Sequence, residues 1–262
     1  VSTCVDSSCA HGACRPAINF VVELMYASAI FRITELVSLF QRRLLNFVEK
    51  AFVEDVIPIL QVAFHCHLNQ LLVQCVQRVA RSDLDNISLE KELPYKVAEN
   101  IKSLRHQSQP DDEPVVMAMD AVHEKRIRRI HKALDSDDVE LVKLLLSESA
   151  GITLDDANAL HYAAAYCDPK VLAEVLDLGL ANVNLRNARG YTVLHLAAMR
   201  KEPSVIVALL TKGACASETT VDGQSAVTIC RRLTRPKDYN AKTKRGQKAN
   251  NDQICIDVLE RE

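Results

Sequence analysis

Tryptophan is absent from the 262 residues, glycine occurs only 7 times, and aromatic residues make up 5%. So little glycine argues against a turn-rich sheet protein, whose tight turns draw on its positive-φ freedom, and favours helix. No apolar run approaches the about 18–20 residues needed to span a bilayer. The best one, Val56 to Phe64, is interrupted by Pro58. No membrane segment is therefore expected, and no signal peptide is visible. Charge of one sign is lacking as well. Lys and Arg number 32 against 34 Asp and Glu, a net of -2, so no global field points to nucleic acid or membrane. The pattern holds no phosphate-cradling loop, no open metal site and no nucleophile–base set, so no enzyme is expected.

What is present is apolar and helical. Hydrophobic residues are 48% of a chain long enough for two modest domains with their own cores. The 9 cysteines are an odd number and lie mostly inside helical patterns. That usage fits a reducing compartment with thiols better than a disulfide framework.

Cys4, Cys9, His11 and Cys14 form C-x4-C-x-H-x2-C. Three thiolates and one imidazole complete a tetrahedral set for zinc and leave no position open for substrate. Small residues between them, Asp6, Ser7, Ser8, Gly12 and Ala13, let so short a loop wrap a metal. The expected role is structural. Reduced thiols or disulfides are the alternative, since the spacing is not the usual paired Cys-x2-Cys.

From Ala17 to Tyr26, Phe20, Val21, Leu24 and Met25 recur at helical spacing. Thr34 is placed to cap a second helix with the stripe Leu36, Val37, Phe40, Leu44, Phe47 and Val48. Further helices carry Val56, Ile59, Leu60 and Ala63, then Leu68, Leu71, Leu72, Cys75, Val76 and Val79. A last one starts at Pro94 with Val97, Ile101 and Leu104. His65-Cys66-His67 resembles a metal triplet, but neighbouring helical residues point apart, so a helix-end joint is expected. The polar, proline-bearing stretch 108–125 reads as a linker. Beyond it Lys125, Arg126, Arg128, Arg129 and Lys132 make the solvated face of a helix whose other face is Ile127 and Ile130.

Residues 126–262 repeat. His161 precedes His195 by 34 residues, and Gly179 precedes Gly213 by 34. Leu160-His161-Tyr162-Ala163-Ala164 parallels Leu194-His195-Leu196-Ala197-Ala198, and Val171, Val175 and Leu176 parallel Val205, Leu209 and Leu210. Leu141, Leu145 and Leu146 give the same helix one unit earlier. Asp222-Gly223 through Thr228 gives the turn and first helix one unit later, with Thr228 in the histidine's place. The second helix of that unit returns only at Ile254, Val258 and Leu259. Between them, over 231–250, crowd Arg231, Arg232, Arg235, Lys237, Lys242, Lys244, Arg245 and Lys248. That insertion reads as a solvated mobile loop, or more sharply as a nuclear-import signal or a dock for an acidic or phosphorylated partner. With Tyr239 its one aromatic, it does not read as a nucleic-acid binder. The architecture expected is all-α, ending in a repeat solenoid of four units whose outer two are atypical.

These four units resemble ankyrin repeats, in which the histidine hydrogen-bonds loop backbone, so His161 and His195 are expected to be structural. Phe20 to Leu39, with Leu24-Met25-Tyr26-Ala27-Ser28, resembles the closing part of a BTB/POZ domain (1–43), and 44–107 resembles the BACK region that follows one. The order of knot, BACK-like helices and four ankyrin units is similar to the plant NPR family, the nonexpresser-of-pathogenesis-related-genes proteins. Cys-Arg-Pro-Ala at 14–17, Lys132 to Leu146, and Arg189-Gly-Tyr-Thr-Val-Leu-His195 running to Pro203 carry that likeness. Phe40-Gln-Arg-Arg-Leu44 and Arg231 to Tyr239 look closer to its co-repressor members. The resemblance implies a salicylic-acid-responsive transcriptional co-regulator of plant immunity that binds TGA-type bZIP factors through its ankyrin part. It implies nucleus and cytoplasm as locations and a homodimer formed through the BTB/BACK region. The alternative it implies is a substrate adaptor of a cullin-3 type ubiquitin ligase. The family's salicylic acid site is expected past Glu262, and the BTB core that would meet a cullin is expected upstream.

Overall fold

A computed structural model describes residues 4–5, 12–108, 114–148, 152–239 and 250–262, with backbone alone for 106–108, 114–121 and 237–238. Among the described residues the regular elements are α-helices. They group into two units, 1–111 with 232–236, and 112–231 with 237–262.

The first unit holds α1 (Arg15–Ile30), α2 (Thr34–Lys50), α3 (Val53–His65), α4 (Asn69–Ala80), α5 (Asn86–Glu92) and α6 (Tyr95–Ser108). Helix α1 packs on α2 and α3, and α4 packs on α2, α3 and α6. Ile18, Met25, Leu44, Ile59, Leu60 and Leu71 are fully buried between them. Each such side chain contributes about 1.5–3 kcal/mol by leaving water. The long apolar stripe of α2 divides. Leu44, Phe47 and Val48 are core, whereas Leu36 and Leu39 join Ile30, Phe31 and Ile33 in an exposed apolar patch at the α1–α2 corner. Thr34 is the first residue of α2 and not its cap, the N-cap being Ile33. Helix α5 was not anticipated from the pattern, because it is short. Its signature is the cap Asp85, whose carboxylate accepts from the Ser88 N–H at 2.7 Å and from its hydroxyl. The His65-Cys66-His67 triplet is a joint, as the directions of successive residues require: α3 stops at His65, and His67 turns the chain at φ 55°.

The second unit is a series of helix pairs: α7 (Pro114–Asp135) with α8 (Val139–Glu148), α9 (Ala159–Tyr166) with α10 (Pro169–Asp177), and α11 (Val193–Arg200) with α12 (Pro203–Thr211). A further pair is α13 (Ala226–Leu233) with α15 (Asn251–Arg261), the short α14 (Pro236–Tyr239) lying between them in sequence. First helices stack on first helices, α7 on α9 and α9 on α11. Second helices do the same through α8, α10, α12 and α15. Pro169 and Pro203 open second helices, where a missing N–H costs nothing. Helix α7 starts at Pro114, inside the stretch read as linker, because a proline followed by Val-Val-Met-Ala-Met suits a first turn. In α15 the buried residues are Cys255, Ile256 and Leu259, so the inward face is turned slightly from the one expected at Ile254 and Val258.

Candidate interaction site

Three histidines hold the repeat stack in register. His195 Nδ1 accepts from the Thr192 N–H at 3.0 Å, which leaves the ring proton on Nε2, and Nε2 donates to the Glu218 carbonyl at 3.1 Å. His161 Nε2 donates to the Tyr191 carbonyl at 3.1 Å. His131 Nε2 donates to the Ala157 carbonyl at 2.7 Å, its ring stacked on Tyr162 with centroids 4.0 Å apart. Each ring thus ties a first helix to the loop that leads into the next unit. Burial pushes the basicity of His161 and His195 down, which keeps both neutral. His131 escaped the sequence reading, though His131-Lys-Ala-Leu134 echoes His161-Tyr-Ala-Ala164. In the fourth unit Ser225 and Thr228 replace the ring with a hydroxyl contact at 3.0 Å.

The loops between units form a second ladder. Asn187 to Gly190 closes a turn with the Gly190 N–H on the Asn187 carbonyl at 2.8 Å, and Thr220 to Gly223 repeats it at 2.9 Å. Both glycines have positive φ, 75° and 73°. Asn184 spans successive loops: its Nδ2 donates to the Gly213 carbonyl at 3.0 Å, and its Oδ1 accepts from the Cys215 N–H at 2.9 Å. Arg186 donates to the carbonyls of Gly190 and Thr219 and pairs with Glu218. Beyond this framework Ala188 and Val221 stand exposed at the turn tips, Val221 at 83%. A rigid backbone ladder that presents exposed tips is suited to binding another protein.

The metal candidates are half visible. Cys4 and Cys14 are buried and cluster with Ala17; Cys9 and His11 lie outside the described residues. Among the described residues no three donors come together, so Cys4 and Cys14 need Cys9 and His11 to complete a tetrahedral set. Two buried thiols in one cluster fit half of a structural zinc site.

Of the basic insertion's described side chains, Arg232 differs from the reading as a solvated loop. Arg231 pairs with Glu260 at 2.5 Å, and Arg235 lies 3.6 Å from Glu23. Arg232 is buried, pairs with the buried Asp55, and lies over the Phe52 ring with 4.6 Å to its centroid. The Thr234 carbonyl accepts from the Val5 N–H at 3.0 Å. Burial pushes the Asp55 carboxyl up, against the pull of Arg232 and Arg15. Such a desolvated charge needs its partner, so Arg232 is structural. Lys242, Lys244, Arg245 and Lys248 lie outside the described residues, and of Lys237 only the backbone is described. On α7 the basic face is solvated, with Arg128 paired to Glu124 at 2.8 Å.

Comparison with known proteins agrees with this geometry. Residues 130–222 match the model for ankyrin repeats in three copies, residues 231–262 that for the NPR1/NIM1 like defence protein C terminal, and residues 83–131 a domain of unknown function, DUF3420. Over its whole length the chain is 73% identical to the BTB/POZ domain and ankyrin repeat-containing protein NPR1 of Malus hupehensis. It is likewise 66% identical to the BTB/POZ domain and ankyrin repeat-containing protein NPR2 of Oryza sativa subsp. japonica, and 62% to Regulatory protein NPR4 of Arabidopsis thaliana. It spans 44%, 41% and 44% of those relatives. The ankyrin match stops at 222, where histidine gives way to Thr228 and the spacing of the helix pair changes.

Proposed function

The chain belongs to the NPR family of BTB/POZ and ankyrin-repeat regulatory proteins, and from that premise we propose that it forms the scaffold portion of a salicylic-acid-responsive transcriptional co-regulator in plant immunity. Its repeat loops gather TGA-type bZIP transcription factors. The observation that carries this reading is the clasped loop ladder, which holds Ala188 and Val221 out as rigid, exposed tips while every buried histidine on it serves backbone. Binding by such a preorganised surface spends little entropy on ordering loops. The Cys4, Cys9, His11 and Cys14 set holds zinc as a folding element of the first unit, and contributes no chemistry beyond fixing that loop. The whole protein works as a homodimer through its BTB/BACK region and distributes between nucleus and cytoplasm.

The test is capture of this chain on an immobilised TGA-type factor, comparing the wild type with Ala188→Glu and Val221→Asp. Both positions are exposed, so unfolding midpoints stay unchanged while retention falls at least tenfold. Undiminished retention of both variants overturns the assignment of the loop tips.

A further inference from the structure

Helix α7 carries a charge pattern that the scaffold described above does not use. Lys125, Arg126, Arg129 and Lys132 are exposed, and among the described residues none of these four side chains is in an ion pair. The acids near them in sequence are engaged elsewhere. Glu124 pairs with Arg128 at 2.8 Å, Asp135 accepts from the Tyr162 hydroxyl at 2.9 Å, and Asp138 accepts from the Leu141 N–H at 2.9 Å. Lys125, Arg129 and Lys132 stand at i, i+4 and i+7 with Arg126 beside them, a stripe opposite the buried Ile130 and Leu134. Like charges at those spacings destabilise a helix. The macrodipole favours a cation only in the last turn, where Lys132 alone of the four lies. A pattern that works against its own helix points to a ligand of opposite charge.

We propose that Lys125, Arg126, Arg129 and Lys132 dock an acidic helical segment of a partner protein, one with carboxylates at every third or fourth residue. At a rise of about 1.5 Å per residue the stripe from Lys125 to Lys132 is about 10 Å long. Carboxylates at i, i+4 and i+7 of a second helix recur at the same spacing, so each meets a cation. Arg126 and Arg129 offer planar forks that hold a carboxylate by two N–H groups, and the lysines add point charges. Other polyanions match this face less well. A single nucleic-acid strand stacks its bases on exposed rings, and Tyr162, the ring stacked on His131 of α7, is buried. A membrane surface takes up the apolar face of a helix, and that face of α7 packs on α8 and α9. A duplex is drawn by a positive field, and this chain has a net charge of -2. The stripe belongs to the first unit of the stack and the tips Ala188 and Val221 to later ones, so the scaffold holds a second partner without using its loop tips.

The experiment titrates the 262-residue chain into a fluorescently labelled, alanine-based helical peptide with glutamates at alternating spacings of three and four, and into the same peptide with glutamines. The expected result is binding of the glutamate peptide alone, weakened by added salt. Arg129→Glu lowers that affinity at least about tenfold, and Val221→Asp, at a loop tip, leaves it unchanged. Reversing the charge at 129 also relieves the repulsion from Lys125 and Lys132, so the unfolding midpoint of Arg129→Glu stays level or rises while binding is lost. Affinity that survives Arg129→Glu, no binding of the glutamate peptide even at low salt, or tighter binding of an oligothymidine of equal charge or of phosphatidylserine vesicles overturns the proposal.

Discussion

Arg15 Nη1 donates to the carbonyl oxygen of Glu54 at 2.7 Å, and that carbonyl is the one Pro58, lying inside α3, leaves without its i+4 N–H. A proline in mid-helix costs about 3 kcal/mol in isolation. Here a side chain from α1 supplies the missing donor and reaches Asp55 as well, at 3.4 Å. We expect Arg15→Ala to cost about 1–3 kcal/mol, and Arg15→Ala with Pro58→Ala to recover part of it, since alanine restores the backbone donor. Urea unfolding of the two singles and the double gives the coupling directly. Strictly additive losses would show that the two residues act separately.

Truncating one member of the buried Asp55–Arg232 pair leaves the other charge stranded out of water. Asp55→Ala or Arg232→Ala should each cost about 3–5 kcal/mol, while the joint apolar replacement Asp55→Leu with Arg232→Met costs clearly less. Denaturant midpoints of the three variants decide this. A double variant as unstable as the sum of the singles would count against a mutually dependent pair.

Acid should loosen the repeat stack. The folded-state basicity of His161 and His195 is depressed by burial. Below their unfolded pKa of about 6.5 the unfolded chain therefore takes up protons that the folded one refuses. Their contribution is fully present above that value and is lost as pH falls from it toward the folded values. The expected outcome is a thermal midpoint lower at pH 5.5 than at pH 7.5, by a margin that shrinks in His161→Gln/His195→Gln. An unchanged pH dependence in the double variant would assign the effect to other groups.

Gly190 is constrained twice. Its φ of 75° disfavours any side chain, and a Cβ there would lie 2.6 Å from Val221 Cγ2 of the following turn. Gly190→Ala should therefore cost about 1–2 kcal/mol from backbone alone, with a further loss from the clash. Adding Val221→Ala relieves the second part and leaves the first. Equal stability of Gly190→Ala in both backgrounds would remove the steric contribution.

For the thiol knot, the purified chain should retain zinc through gel filtration, and Cys9→Ala should lose it and lower the unfolding midpoint of the first unit. Elemental analysis under reducing conditions reads this out. A well-folded, zinc-free wild type would end the metal assignment.

The local and periodic features of this protein were legible in its sequence. The spacing of His161 and His195 and of Gly179 and Gly213 marks where helices stop and are clasped, because each depends on backbone geometry within one repeat. Tertiary structure decided the rest. Arg232 looked like part of a solvated basic run, yet it meets Asp55, 177 residues away in sequence, and no periodicity encodes a partner at that distance. The same holds for Arg15 reaching the carbonyl freed by Pro58. Phe20 and Leu36 read as parts of apolar helix faces and are exposed, since hydrophobic spacing tells which residues share a face and only the packing of neighbours tells whether that face is covered.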